Sequence, residues 1–495
     1  MVNSVNHSTP NVKSSIFYIN DIHGQLPKME QITNASVQFD SFVKQQKVDG
    51  LKLCSGDTFI GGDEKTNLAA ATFLDTAGIQ ASTFGNHEFD MAVSKLANTI
   101  KNVKTKFIGM NLNLPENSAL KAKTLRSTII EENGNKYGII GIQPIDMTNR
   151  IKKKELLEGI TVDDTEQTIK ELQQEVETLK KQGINKIVLL SHVGNKKEKE
   201  IAQKVNGIDV ILGGHSHELI EGIKEGQNLF YSPNGEPVVI TQAGRDGHNF
   251  GVLNLEYNDK GVIVEAQNNV MKTSDYNKNL IMSVTADKLL GESPTIGTLG
   301  KADPYPKKPL IEENPYASFV ADAVRKEMDV DLVLVNSANF RGCISPGILT
   351  ERDISSIFPF KNKLCKVELT EKELIDALNH GGTSLKTPDN KPNILQVSGL
   401  TYTFNKDGKV IEASFIDKAG NKQPIDVNNP NPNKKYITIY DDYMCEGGDK
   451  FTMLKKMDTL LEKYDYDKDK VAIDYIKKLN GQPFDIVKDN RIKFA

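Results

Sequence analysis

Short apolar runs, rich in β-branched and aromatic residues, alternate with stretches of helical periodicity through the first half of the chain. Residues 16–20, 51–54, 106–110, 137–142, 186–190 and 210–212 read as strands. Between them, 68–77, 91–100 and 164–182 read as helices, the last with Ile169, Leu172, Val176 and Leu179 at helical spacing. Strands that alternate with helices stack as α/β layers, because each helix must bury its apolar stripe against a sheet. Further on, 238–241, 252–257 and 262–265 predict antiparallel strands, with Asp259-Lys260-Gly261 as a turn.

A chain of 495 residues exceeds what one core sustains, so two domains are expected. The joint is placed where 276–290 turns helical and Pro294 and Gly297 then interrupt the pattern. In the second half, 315–328, 371–378 and 450–463 predict helices, and 332–335, 365–368 and 436–440 predict strands. The Pro/Asn-rich stretch 428–433 reads as a surface loop.

Composition removes several classes. Lys plus Arg is 62 against 66 for Asp plus Glu, a net charge of −4 that leaves no electrostatic footprint for a nucleic acid. Cys54, Cys343, Cys365 and Cys445 are widely spaced with no CxxC pair, which disfavours a disulfide framework or a thiolate metal site. The first fifteen residues are polar, and no run reaches the roughly 18 apolar residues of a spanning helix. The expectation is a cytoplasmic protein with no membrane partner, or a secreted one if a leader was removed.

Five short polar motifs stand where the predicted strands end. In order they are Asp21-Ile22-His23-Gly24, Gly56-Asp57, Gly85-Asn86-His87-Glu88 followed by Asp90, Ser191-His192, and Gly213-Gly214-His215-Ser216-His217. In open α/β sheets, ligands gather at the carboxyl ends of strands, so distant residues can converge there. Carboxylate, amide and imidazole suit Mn²⁺, Zn²⁺ or Fe, and no thiolate is offered. Two close cations need a shared carboxylate, and Asp57 is the candidate bridge because it stands alone in its motif. Asp21 and His23, like His215 and His217, are two apart, which on an extended segment points both side chains one way. His7 reads as tail, His248 as a turn residue and His380 as a helix C-terminal residue.

These motifs resemble the calcineurin-like metallophosphoesterase superfamily. With the second half, over residues 16–455, the chain is similar to the 5′-nucleotidase family. The resemblance implies two divalent metal ions (Mn, Zn, Co, Fe or Mg). Asp21, His23, Asp57 and His217 would hold one; Asp57, Asn86, His192 and His215 would hold the other. His87 would face the scissile phosphate, with Asp90 orienting its ring.

The second half adds Asn336-Ser337-Ala338-Asn339-Phe340-Arg341, Phe358-Pro359-Phe360 and Asp442-Tyr443 through Gly447-Gly448-Asp449, each polar or aromatic near a strand end. An aromatic pair can clamp a planar base, and Arg341 can fork onto phosphate or carboxylate. By resemblance, Phe360 and Tyr443 sandwich the base, Asp449 meets the ribose, and Asn336 and Arg341 end the family's Asn-Gly-Gly-Gly-x-Arg signature. Ser337, Ala338 and Asn339 replace its glycines, and 309–313 lacks the arginine that the family tends to place there.

The reading is thus an α/β fold, a layered β-sandwich metallophosphoesterase domain followed by a smaller α+β substrate-binding domain. A polar tail covers 1–15, the first domain 16–272, a connecting helix 273–297 and the second domain 298–495. The expected reaction is hydrolysis of a phosphomonoester, a nucleoside 5′-monophosphate above all, by in-line attack of water. Rivals are a phosphodiesterase or pyrophosphatase acting on 2′,3′-cyclic nucleotides or sugar nucleotides, and a catalytically inactive nucleotide-binding module. A metal-dependent nuclease is disfavoured by the net charge.

Overall fold

Ile16 and Tyr18 point to one side of β1 (Val12–Ile19), Phe17 and Ile19 to the other, and all four are buried. A strand covered on both faces needs a layer on each. The computed structural model describes residues 11–61, 63–151, 153–306, 308–340, 342–358, 360, 362–386 and 392–495. The chain divides into two compact units, Met1–Glu292 and Ser293–Ala495.

In the first unit, β1 pairs in parallel with β2 (Asp49–Cys54), and β3 (Ala81–Thr83) and Lys106–Ile108 extend that sheet. On the other side Asn249–Tyr257 and Ile263–Lys272 complete it in antiparallel register. A second sheet is ordered Leu229–Tyr231, Pro237–Thr241, Val210–Leu212, Ile187–Ser191, Asn135–Ile142, Ser127–Glu132. Ile16, Tyr18, Leu51 and Leu53 of the first sheet share a core with Val188, Leu190, Val210 and Leu212 of the second. Outside, α1 (Leu26–Gln46), α2 (Glu64–Thr76) and α3 (Val93–Ile100) cover the first sheet through Ile32, Phe73 and Leu96. Thr165–Lys181 and Asn195–Lys204 cover the second through Leu172, Val176 and Ile201. This is the expected helix–sheet–sheet–helix sandwich.

The second unit is α+β. Its main sheet is ordered Leu395–Ser398, Leu332–Asn336, Lys435–Asp441, Leu364–Thr370, Glu462–Lys463. Pro315–Glu327 packs Tyr316, Val320 and Val324 against Val333 and Ile439, while Glu371–Gly382 packs Leu374 and Leu378 against Leu334 and Val367. Among the described residues no helix is long and apolar enough to cross a membrane.

Among the elements that differ from expectation, three show the physical reason. β1 starts at Val12, inside the stretch read as a tail, and pairs from Val12 opposite Tyr257. Ser14 and Ser15 are 2% exposed, because ladder hydrogen bonds do not require apolar side chains. Helix α1 was not predicted, since Gln31, Thr33 and Ser36 are buried along with Met29 and Ile32 and blur the stripe. The predicted helix 450–463 is instead a series of 3₁₀ turns, Gly448–Lys450, Thr452–Leu454 and Met457–Thr459, ending in Glu462–Lys463. Phe451, Leu454, Met457 and Leu460 recur every third residue, which is the 3₁₀ period rather than the α period.

Candidate metal centre

Asp21 and His23 follow β1, Asp57 follows β2, and Asn86 and His87 follow β3, three neighbouring parallel strands. His192 and the His215–His217 pair follow two neighbouring parallel strands of the facing sheet. All five motifs therefore leave the carboxyl ends of their strands.

The backbone there is not extended. Asp21, His23, Asp57, His215 and His217 have φ of 51°, 51°, 52°, 73° and 59°. A left-handed conformation costs a non-glycine residue about 1–2 kcal/mol and persists only when its surroundings enforce it. The enforcement is visible: Asp21 N, His23 N and Gly24 N donate to Gly56 O, Asp57 O and Thr58 O at 3.0, 2.9 and 3.0 Å, zipping the first two loops together. Asp21 and His23 come together through this turn, not through an extended segment.

Glu88 holds the same loops from behind. It is 1% exposed and accepts from Asp57 N (3.0 Å), Thr58 N (2.7 Å), Phe59 N (3.2 Å) and Gly85 N (2.6 Å). Gly85 is required at its position, because a Cβ there would lie 2.1 Å from Asp57 Oδ1 and 2.7 Å from His192 Nε2. Burial, then the charge of Asp57, pushes the Glu88 carboxyl up to about 7.

The imidazoles are oriented by groups behind them. His192 Nδ1 lies 2.5 Å from Ser55 O, which fixes the proton on Nδ1 and leaves the Nε2 lone pair 3.0 Å from Asp57 Oδ2. His23 Nδ1 lies 2.9 Å from Asp246 Oδ1, and its Nε2 faces Asp57 Oδ2 at 3.4 Å. His217 Nε2 is 3.2 Å from Asp21 Oδ1, and the His215 ring stands 5.2 Å from that of His192. Single ligand atoms of Asp21, His23 and His217, of Asp21, Asp57 and His192, and of His23, Asp57 and His87 lie within 4.8 Å of one another.

These residues fit divalent cations. His23 Nε2 and His192 Nε2 are buried facing the Asp57 carboxylate, and Asn86 Oδ1 is buried without a hydrogen-bond partner, which costs about 1–3 kcal/mol unless something else coordinates it. Burial opposes charge on His23 and His192, yet the surrounding carboxylates raise them to about 9 and about 10. Burial likewise opposes charge on Asp57, but His192 and His87 hold its carboxyl well below the usual range. The carboxylates thus create a strong demand for positive charge.

His87 differs from His23 and His192 in exposure, which it shares with His217 at 29%, and from all three in its carboxylate partner Asp90. Its side chain is 29% exposed, against 2% for His23 and 0% for His192. Its Nδ1 is 2.6 Å from Asp90 Oδ2, and its backbone N donates to Asp57 Oδ1 at 2.8 Å.

Sequence reasoning missed Glu88 and Asp246. Glu88 lies inside a quoted motif, and Asp246 lies in Gly244-Arg245-Asp246-Gly247, read as a turn near His248. Asp246 is buried at φ 55°, its N donates to Asp21 O at 2.6 Å, and its second oxygen is 2.5 Å from Arg245 Nε. Carboxylates behind a metal-binding histidine commonly contribute about 10–100-fold in metal affinity. Asp246→Ala is expected to weaken Mn²⁺ binding by that factor, read by titrating metal-free protein against a chelating dye. Unchanged affinity would reduce Asp246 to a packing role.

In the second unit, Asn336 Nδ2 and Tyr443 OH donate to the two Asp449 oxygens at 2.7 and 2.8 Å. Phe360 is 41% exposed. Arg341 lies outside the described residues. His380 is at the end of its helix, and its Nε2 reaches Asp449 O at 3.2 Å.

Comparison with known proteins places these two units. Residues 14–219 match the calcineurin-like phosphoesterase family, whose members take divalent metal ions, and residues 295–456 match the 5′-nucleotidase C-terminal domain. The 5′-nucleotidase of Mus musculus is 26% identical over 94% of this chain and 88% of its own length. A trifunctional nucleotide phosphoesterase protein of Bacillus subtilis is 23% identical over 89% of this chain, which spans 32% of that protein. The solved 5′-nucleotidase precursor of Thermus thermophilus shares the fold, with a TM-score of 0.66 and 22% identity over 98% of this chain and 99% of that one. The first unit makes this a metallophosphoesterase, a class of metal-dependent phosphoric ester hydrolases. With its second unit, the chain belongs to the 5′-nucleotidase family.

Proposed function

We propose that this chain hydrolyses phosphomonoesters, nucleoside 5′-monophosphates first among them, to an alcohol and inorganic phosphate. The observation that carries this reading is the convergence of His23 Nε2 and His192 Nε2 on the buried Asp57 carboxylate, with Asn86 Oδ1 buried and unpartnered, beside the partly exposed His87–Asp90 pair. Asp21, His23, Asp57 and His217 would hold one divalent cation and Asp57, Asn86, His192 and His215 a second. Bound there, Mn, Zn, Co, Fe or Mg supplies Lewis acidity toward the phosphoryl oxygens and the attacking water.

The chain's own residues do the rest. Asp246 and Ser55 O keep the His23 and His192 lone pairs turned inward. Asp90 takes the Nδ1 proton of His87 in a hydrogen bond and balances the imidazolium, so that Nε2–H can donate to the oxygen on which charge develops. Asn86 adds its amide to the equatorial oxygens.

Relatives named 5′-nucleotidase support a nucleoside as the leaving alcohol. In the second unit Tyr443 and Phe360 would take the base, Asp449 the ribose, and Asn336 and Arg341 the polar edge. The test is steady-state hydrolysis of a nucleoside 5′-monophosphate and of p-nitrophenyl phosphate. Binding energy from a remote substrate group helps only substrates that carry that group. Wild type is expected to prefer the nucleotide, and Phe360→Ala to lose kcat/KM on it equivalent to about 1–3 kcal/mol, with far less change on p-nitrophenyl phosphate. Equal losses on both would mean a folding role for Phe360. No loss on either would mean the substrate has no base.

A further inference from the structure

The residues that replace the signature glycines, Ser337, Ala338 and Asn339, are all buried. A buried polar side chain without a partner is destabilising, so the polar ones among these must be satisfied. Ser337 Oγ donates to Ile394 O at 2.7 Å and accepts from Gln396 Nε2 at 2.8 Å. Asn339 Nδ2 donates to Asp441 Oδ2. Lys468 Nζ is 3.5 Å from that same oxygen, and Asp441 and Lys468 are each 3% exposed. The other Asp441 oxygen accepts from Met444 N at 3.1 Å, capping the short helix Asp442–Cys445 that carries Tyr443.

A ring of interactions therefore closes. Asn336 and Tyr443 meet on Asp449; Tyr443 sits on the helix capped by Asp441; Asp441 holds Asn339; and the turn Ser337–Asn339 leads back to Asn336, whose Oδ1 accepts from Ala338 N at 3.0 Å. With glycine at 339 the turn would recover backbone freedom, and Asp441 would keep Lys468 and Met444 N. The fold would stand, but the turn and the Tyr443 helix would no longer be tied.

We infer that Asn339 is a positioning residue for nucleoside recognition: through Asp441 it fixes the helix of Tyr443 relative to Asn336 and Asp449 before substrate arrives. This rests on the nucleotide reading above. Groups ordered in advance spare the substrate the cost of ordering them. Loss of Asn339 should therefore appear in KM for a nucleotide and not in kcat.

The experiment compares wild type, Asn339→Gly and Asn339→Asp on a nucleoside 5′-monophosphate and on p-nitrophenyl phosphate, with thermal melting as a control. Asn339→Gly is expected to raise the nucleotide KM about 3–10-fold with kcat within about twofold, and to shift p-nitrophenyl phosphate kinetics less. Asn339→Asp keeps the shape but loses the donor and faces Asp441 with like charge, so it should be at least as damaging. An Asp variant with wild-type nucleotide KM would mean that only shape matters and would overturn the inference. So would equal losses on both substrates. If Asn339→Asp does not fold, Asn339→Gly decides alone. A wild type that shows no nucleotide preference defeats the nucleotide reading, and this role with it; a preference left intact by both variants defeats only the role of Asn339.

Discussion

Asp57→Ala is expected to abolish phosphatase activity and to strip bound metal from the purified protein. Asp57 is 1% exposed and touches three motifs at once. Its Oδ2 lies 3.4 Å from His23 Nε2 and 3.0 Å from His192 Nε2, while its Oδ1 accepts from His87 N at 2.8 Å. Removing one member of a buried charge cluster costs about 3–5 kcal/mol, and here the same carboxylate would serve both cations. A fall in kcat/KM of about 10²–10⁴-fold is the expected size. Metal analysis after dialysis, together with hydrolysis of p-nitrophenyl phosphate with and without chelator, checks it. Full activity in chelator, or a mild phenotype, would remove the dinuclear assignment.

The second large effect separates His87 from the ligands. With Nδ1 on Asp90 and 29% of its side chain exposed, it is held by a carboxylate and open to a substrate, whereas His23 and His192 are sealed. His87→Ala is expected to lower kcat by about 10²–10⁴-fold, the usual worth of a positioned acid–base group. Asp90→Asn should cost less, since it acts on the ring and not on the substrate. Activity alone does not separate the two roles, because His87 also lies in ligand range of His23 and Asp57. Metal content does. Retention of the full complement supports a substrate-facing histidine, and loss of an ion would make His87 a ligand.

The sandwich was legible because its strands are buried on both faces, so continuous apolar runs such as 187–190 mark them without reference to distant partners. Thr165–Lys181 was legible because its stripe faces one sheet. Helix α1 was not, since polar Gln31, Thr33 and Ser36 are buried with its apolar side chains. The segment 450–463 misled because its apolar spacing of three lies close to the helical period, while burial of Phe451 and Leu454 fits separate turns.

From the sequence alone come the order of the motifs, their place at strand ends and their donor types, since all of these are local properties of the chain. Only the tertiary structure decides which groups stand behind the ligands. Asp246 lies over two hundred residues from His23 and reaches it because Asn249–Tyr257 pairs with β1. Glu88 shares a motif with His87 yet turns away from it to gather amides from the Asp57 loop. Left-handed backbone at Asp21, His23 and Asp57 is likewise a tertiary result: Asp and His tolerate it better than most residues, but the hydrogen bonds between loops hold it at these positions.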